Sequence, residues 1–210
     1  MNDSIIRQNF RIKRLQRHRA NKETLVIEEL GLNHGKNRAD IAVLNGRFIG
    51  YEIKSNNDSL CRLKEQIKSY NAVFDNVYVI AGDRYSNTIH KHLPSWWGII
   101  KAIDNNEDEV DFKIIRKART NKHIEPMSIA RLLWRDEALE VLKKKQISPK
   151  ILRQPRSVLY QHLADVLNIS EIRKTVRDFL MKRKNWRCLE SLSLNDDLSQ
   201  PLSTMCGSEF

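Results

Sequence analysis

Cysteine is scarce in this chain, and Cys61, Cys188 and Cys206 form no CxxC pair and no even framework. That excludes a disulfide-stapled secreted scaffold and leads us to expect reduced thiols in a cytoplasmic protein. No apolar run approaches the roughly 18 residues of a membrane span, and the N-terminus lacks the apolar stretch of a signal peptide. The histidines show no ligand spacing with cysteine, and His90-x-His92 reads as surface. No constellation supports serine catalysis. The tail, residues 188–210, has four acids and no Lys or Arg at all.

What is present is positive charge, unevenly spread. The chain of 210 residues carries a net charge of +11. By segment the balance is +6 over residues 1–22, −4 over 23–112, +13 over 113–187 and −4 over 188–210. An acidic middle between basic flanks suits a site served by arms that hold a polyanion, so nucleic acid, DNA before RNA, is the expected partner. A well-solvated surface is the plainer account of the same charges.

Taken in order, residues 1–21 form a basic arm or helix. Asn21 can cap a helix through Leu25, Val26 and Leu30, with Gly31 as its stop. Glu28 and Glu29 fall in the last turn of that helix, where acids oppose its dipole. Two apolar runs, Ile41 to Leu44 and Phe48 to Ile53, flank Asn45-Gly46 and read as a β-hairpin. Glu52 and Lys54 stand two apart on its second strand and so share a face. Asp40 joins that face if the loop has three residues, Leu44-Asn45-Gly46, with Gly46 at positive φ and Asp40 opposite Gly50. A two-residue loop would send Asp40 to the other face. Buried carboxylates need a partner or a cation, and oxygen-only ligation suits Mg²⁺ or Mn²⁺.

A long helix follows from Asn57 or Asp58 to Phe74, then a strand over Val77 to Ile80, a weak helix over 84–92, a strand from Trp97 and a last strand over Val110 to Ile115. The order indicates an α/β fold with a mixed central sheet flanked by helices. After Arg116 the pattern turns helical and basic. One helix runs from a Ser128 cap to Lys145, Pro149 and Pro155 punctuate a linker, and helices over Ser157–Leu167 and Ser170–Lys184 follow. The last carries Arg173, Lys174 and Arg177. The pair resembles helix-turn-helix or SAP-like nucleic-acid modules, and an ordinary helical cap fits the pattern equally. The chain thus divides into the arm (1–21), an α/β core (22–116), a helical basic module (117–187) and an acidic tail (188–210).

Asp40 followed by Glu52-Ile53-Lys54 resembles the PD-(D/E)XK phosphodiesterase pattern, with Ala39 in place of proline. Gln66 and Tyr70 on the next helix are similar to the Q-x-x-x-Y of RecB-type nucleases. Arg38-Ala-Asp-Ile-Ala, Gly50-Tyr-Glu-Ile-Lys-Ser, Trp96-Trp97-Gly98 and Leu133-Trp134-Arg135-Asp136-Glu137 look like a bacterial and phage-associated family of uncharacterised predicted nucleases, over roughly residues 22–187. The resemblance implies a restriction-endonuclease-like core and Mg²⁺-dependent hydrolysis of phosphodiester bonds, with Mn²⁺ as a possible substitute. It implies Asp40, Glu52 and the Ile53 carbonyl as metal ligands and Lys54 beside the attacking water. Glu29 (or Glu28) would hold a metal-bound water or second metal, and Gln66 and Tyr70 the substrate backbone. Arg38, Arg173, Lys174 and Arg177 would contact nucleic acid, and a homodimer is common in that superfamily. The alternative is a module that binds nucleic acid on the same scaffold without cutting it. On the residues alone, Asp40 could instead pair with Arg38 or Lys54, and Tyr70 could be simply core.

Overall fold

A computed structural model describes residues 1–19, 21–105 and 109–183. Its centre is one six-stranded sheet: β1 (Leu25–Leu32), β2 (Asn37–Leu44), β3 (Phe48–Lys54), β4 (Asn76–Ala81), β5 (Gly98–Asp104) and β6 (Val110–Arg116). The strands lie in chain order, β1 to β6. The pairs β1–β2, β2–β3 and β5–β6 are antiparallel, and β3–β4 and β4–β5 are parallel. The sheet is therefore mixed, as expected. Each parallel step needs a crossover. The first is made by α3 (Leu63–Val73), and the second by the short α4 (Asp83–Ser86) with a 3₁₀ turn over Ile89–Lys91.

Strand β1 replaces the helix expected after Asn21. The run Leu25-Val26-Ile27 alternates between the two faces of the sheet, so both faces bury it: Leu25 and Ile27 on one side, Val26 on the other. A strand buried on both sides reads as an unbroken apolar run, which a short helix segment also does. Pairing with β2, Leu25 opposite Leu44 through Ile27 opposite Ala42, decides between them. Asn21 caps a turn instead, its side chain accepting from the Glu23 N–H at 2.9 Å.

The hairpin register also differs from expectation. Leu44 pairs with Phe48 and Ala42 with Gly50, so the loop is Asn45-Gly46-Arg47 rather than Leu44-Asn45-Gly46. Gly46 has φ +92°, the conformation glycine is needed for. The register is displaced by two residues, and a displacement of two preserves the parity of every side chain. At Gly50 the ring of Phe74 would lie 2.8 Å from a Cβ, so only glycine lets α3's end approach β3 so closely.

One face of the sheet is covered by the N-terminal segment: α1 (Asp3–Phe10), a π-helical turn (Arg11–Leu15) and α2 (Gln16–Arg19). Ile6, Phe10 and Leu15 pack there on Val26, Ile41, Val43, Tyr51 and Ile53. The opposite face takes α3 and the later helices α5 (Pro126–Ala130), α6 (Arg135–Lys144), α7 (Pro149–Leu152), α8 (Arg156–Val166) and α9 (Ile169–Lys182). Leu159, Tyr160, Leu163, Ile172, Val176 and Leu180 share one apolar core with Tyr70, Phe74 and Trp97. The C-terminal helices are thus built onto the α/β layer and not around a core of their own.

Two expected helices are shorter than the periodicity suggests. Helix α3 starts at Leu63, because Asp58 turns back to accept from the Ser55 N–H and hydroxyl, both at 2.7 Å. The single helix expected from Ser128 to Lys145 is two, α5 and α6, broken around Trp134. Trp134 is extended there, and its N–H donates to the Glu137 carboxylate at 2.7 Å to start α6. Among the described residues no helix is long and apolar enough to cross a membrane. The expected acidic tail and Cys188 and Cys206 lie outside the described residues.

Candidate functional site

The sequence-predicted residues converge where β2 and β3 splay at the edge of their pairing. The last β2–β3 pair at this end is Ile41 with Tyr51. One step further, side chains replace the backbone ladder. The Asp40 carboxylate accepts from the Ile53 N–H at 2.7 Å, and the Asp40 N–H donates to the Tyr70 hydroxyl at 3.2 Å. Tyr70 in turn donates to the Glu52 carboxylate at 2.5 Å and lies 3.2 Å from the Tyr51 carbonyl. Fully buried on α3, Tyr70 is both core and site residue. It is the bolt between the two strands.

Glu52 is 1 % exposed and Lys54 5 %. Their parity on β3 turns both toward α3. Lys54 Nζ lies 2.8 Å from Glu52 and donates to the Gln66 side-chain oxygen at 2.9 Å, while the Gln66 amide donates to Glu52. Both Glu52 oxygens are thus engaged within the protein. Burial pushes the Glu52 carboxyl upward, against the pull of Lys54, Tyr70 and Gln66. The closed network satisfies the rule that a buried charge must be paired and hydrogen-bonded.

Asp40 is held differently. Burial, then the neighbouring Glu52, raises its carboxyl from 3.8 to about 7, opposed by the Ile53 N–H and Arg7. Arg7, from α1, reaches across the sheet edge to the Asp40 carboxylate at 3.2 Å and the Asp40 carbonyl at 2.9 Å. The same guanidinium meets Asp3 at 3.2 Å and Glu29 at 3.1 Å. Arg7 was not singled out from the sequence; its only local signal is Asp3 four residues earlier on a helix.

Glu29 lies on β1, not on a helix, because β1 is a strand. Its φ is +54°, a left-handed backbone at a non-glycine residue, and the β1–β2 pairing skips from Glu28–Ile41 to Leu30–Ala39. Such strain persists only where surrounding structure imposes it. Here Ile27 and Leu30, three apart, both face the helical core. Glu28 pairs with Arg11 at 3.1 Å, and Glu29 with Arg7 and, at 3.7 Å, with Arg38. Both acids therefore clamp the N-terminal segment to the sheet.

The carboxylates expected to hold Mg²⁺ or Mn²⁺ are arranged in ion pairs. Arg7 and Lys54 already stand as their cations, and among the described residues no group of three or more His, Cys, Asp or Glu could hold a metal ion. Above this floor opens a cleft of about 380 Å³ bordered by Lys36, Arg38, Arg62, Glu29 and Gln66. Arg38 is 57 % exposed on that rim. The α9 residues are placed elsewhere. Arg173 is tied to the buried Asp75, whose other oxygen accepts from the Phe48 N–H at 2.8 Å. Lys174 is exposed beside the Gly46 loop, and Arg177 pairs with Asp178 at 3.3 Å. Arg173 is thereby a structural cation as well as a surface one, and only Lys174 projects freely into solvent.

Comparison with known proteins corrects the functional expectation. A family described as Bacteriophage P4 protein cII matches residues 8–200. Among curated proteins, Protein cII of Enterobacteria phage P4 is 30 % identical over 156 residues, 73 % of this chain. The chain covers 57 % of the length of that relative. No solved structure matches the chain. The expected membership of a PD-(D/E)XK nuclease family is overturned by these two matches, and with it the metal-dependent nuclease, the endonuclease and the phosphodiester hydrolase. An acid, then E-x-K, then Q-x-x-x-Y is a short pattern. Here the residues that match it form a buried ion pair hydrogen-bonded to a glutamine and a tyrosine. Matched over nearly its whole length, the chain belongs to the bacteriophage P4 cII protein family.

Proposed function

We propose that this protein binds nucleic acid, with DNA as the expected polymer, through the phosphate backbone, on its mixed six-stranded sheet and the helices that flank it. The observation that carries the reading is the division of charge at the cleft. The acids of its floor are matched inside the protein by Arg7 and Lys54, while Lys36 and Arg62 on its rim form no ion pair among the described residues. With the floor acids tied up in ion pairs, the unpaired cations of the rim are left to attract a polyanion, and low-dielectric walls focus their field. The C-terminal helices supply a second basic surface at Lys174, beside the β2–β3 loop. Contacts of this kind position a polymer without reading its sequence.

The test is fluorescence anisotropy with a labelled DNA duplex across a salt titration. Affinity should fall steeply between about 50 and 200 mM salt as bound counterions are released. Lys36→Glu with Arg62→Glu should weaken binding at least about tenfold and flatten the salt slope by about two, close to one for each lost phosphate contact. Affinity that ignores both salt and these two substitutions would reject the reading.

A further inference from the structure

A second concentration of cations lies where the β1–β2 turn meets the join of α5 and α6. A hollow of about 560 Å³ is walled there by His34, Arg131, Trp134, Arg135, Arg156 and Tyr160. Gly35 borders both this hollow and the cleft above Asp40, so the two concavities meet at one turn. The hollow is built and not a chance gathering of surface arginines. Arg131 is anchored by the Asn33 side-chain oxygen at 3.3 Å, yet its Nε is buried with no hydrogen-bond partner among the described residues. Arg135 and Arg156 form no ion pair among the described residues, and Asp136 is the one acid on the wall. His34 is held below its usual value by burial and by Arg131, Arg156 and Lys36, so it stays neutral and adds no charge of its own.

Trp134 supplies the other half of the chemistry. It is 55 % exposed, an unusual place for an indole, and the Arg183 guanidinium lies 4.1 Å from its ring centroid. Arg183 is itself fixed by Glu137 and by the Leu132 carbonyl at 2.9 Å. The indole is therefore backed by a rigid cation on one side and open on the other. An open aromatic face beside arginines with free donors matches a base attached to a phosphate.

We propose that this hollow holds one nucleotide of an unpaired strand, its phosphate on Arg131, Arg135 and Arg156 and its base stacked on the open face of Trp134. The inference rests on the nucleic-acid reading above and narrows it. A duplex keeps its bases stacked on one another and offers phosphate without a free base face, so the site discriminates in favour of single strands.

The experiment compares a twelve-residue oligothymidylate, a duplex of equal length, thymidine monophosphate and inorganic phosphate as probes of the full chain. Binding is read by anisotropy and by quenching of tryptophan fluorescence. The oligothymidylate should bind more tightly than the duplex and quench the indole emission. Trp134→Ala should weaken the single strand about tenfold, the scale of one lost stacking contact, and leave the duplex unchanged. Trp134→Phe should keep most of the affinity and lose the quenching that belongs to Trp134, which separates stacking from a loss of folding. Arg135→Gln with Arg156→Gln should lower the salt slope for the single strand. If thymidine monophosphate binds as tightly as the oligomer, the site takes a free nucleotide and the strand proposal is wrong. A duplex that binds as well as the single strand, in wild type and in Trp134→Ala alike, overturns this inference and leaves the broader reading standing. If neither polymer binds, both fall.

Discussion

The strand ends around Asp40 and Glu52 and the hollow around Arg131 and Trp134 border the same β1–β2 turn, yet they treat charge in opposite ways. At the strand ends the acids are held in ion pairs within the chain: Asp3, Glu29 and Asp40 share Arg7, Glu28 meets Arg11, and Glu52 meets Lys54. In the hollow the arginines outnumber the acids, and one guanidinium N–H is buried with no acceptor among the described residues. The first cluster is closed and holds the sheet edge, α1 and α3 together. The second is open and has capacity left for a ligand. Titratable residues gathered on a hydrophobic hairpin therefore need not be a reacting centre; what matters is whether their partners are already present.

Breaking the closed cluster should have the largest effect. Lys54→Met leaves Glu52, 1 % exposed, without its cation, and removing one partner of a buried pair costs about 3–5 kcal/mol. Urea unfolding measures this. Lys54→Met combined with Glu52→Gln should recover much of the loss, because no buried charge remains. A single variant as stable as wild type would show that Glu52 has other neutralisation.

Asp40 gives the next test through pH. The folded chain keeps the Asp40 proton up to about 7, while the unfolded chain releases it near 3.8. Between those values the unfolded state binds fewer protons, so stability falls as pH rises and levels off above about 7. Taken alone, that shift corresponds to on the order of 4 kcal/mol. Asp40→Asn should flatten the dependence across this window in denaturation curves. An unchanged slope would mean that Arg7 already holds Asp40 ionised.

The smallest effect on stability is expected in the open cluster. Arg156→Gln removes an exposed cation with no ion pair among the described residues, so unfolding free energy should move by less than about 0.5 kcal/mol. A large loss there would mean that Arg156 is a structural cation like Arg7, and the contrast between the two regions would disappear.

The α/β order, the hairpin and its Gly46 turn were legible because alternation and an Asn-Gly pair are local signals. So was the gathering of Asp40, Glu52, Lys54, Gln66 and Tyr70, since two-residue spacing on β3 and four-residue spacing on α3 fix which side chains can meet. The identity of β1 was not. Leu25-Val26-Ile27 is apolar on both sides, and only pairing with β2 distinguishes a doubly buried strand from a helix. The break at Trp134 was hidden as well, because it depends on a Glu137 cap and on Arg183 arriving from the end of α9.

By itself the sequence determined the local geometry: which residues alternate, where the chain turns, and which cations and acids share a face. Tertiary structure alone decided what those charges do. Arg7 reaches Asp40 across 33 residues of chain, and Arg173 reaches Asp75 across 98. Periodicity fixes the direction in which a side chain leaves the backbone. The partner that neutralises it, or the lack of one, depends on which distant elements pack beside it.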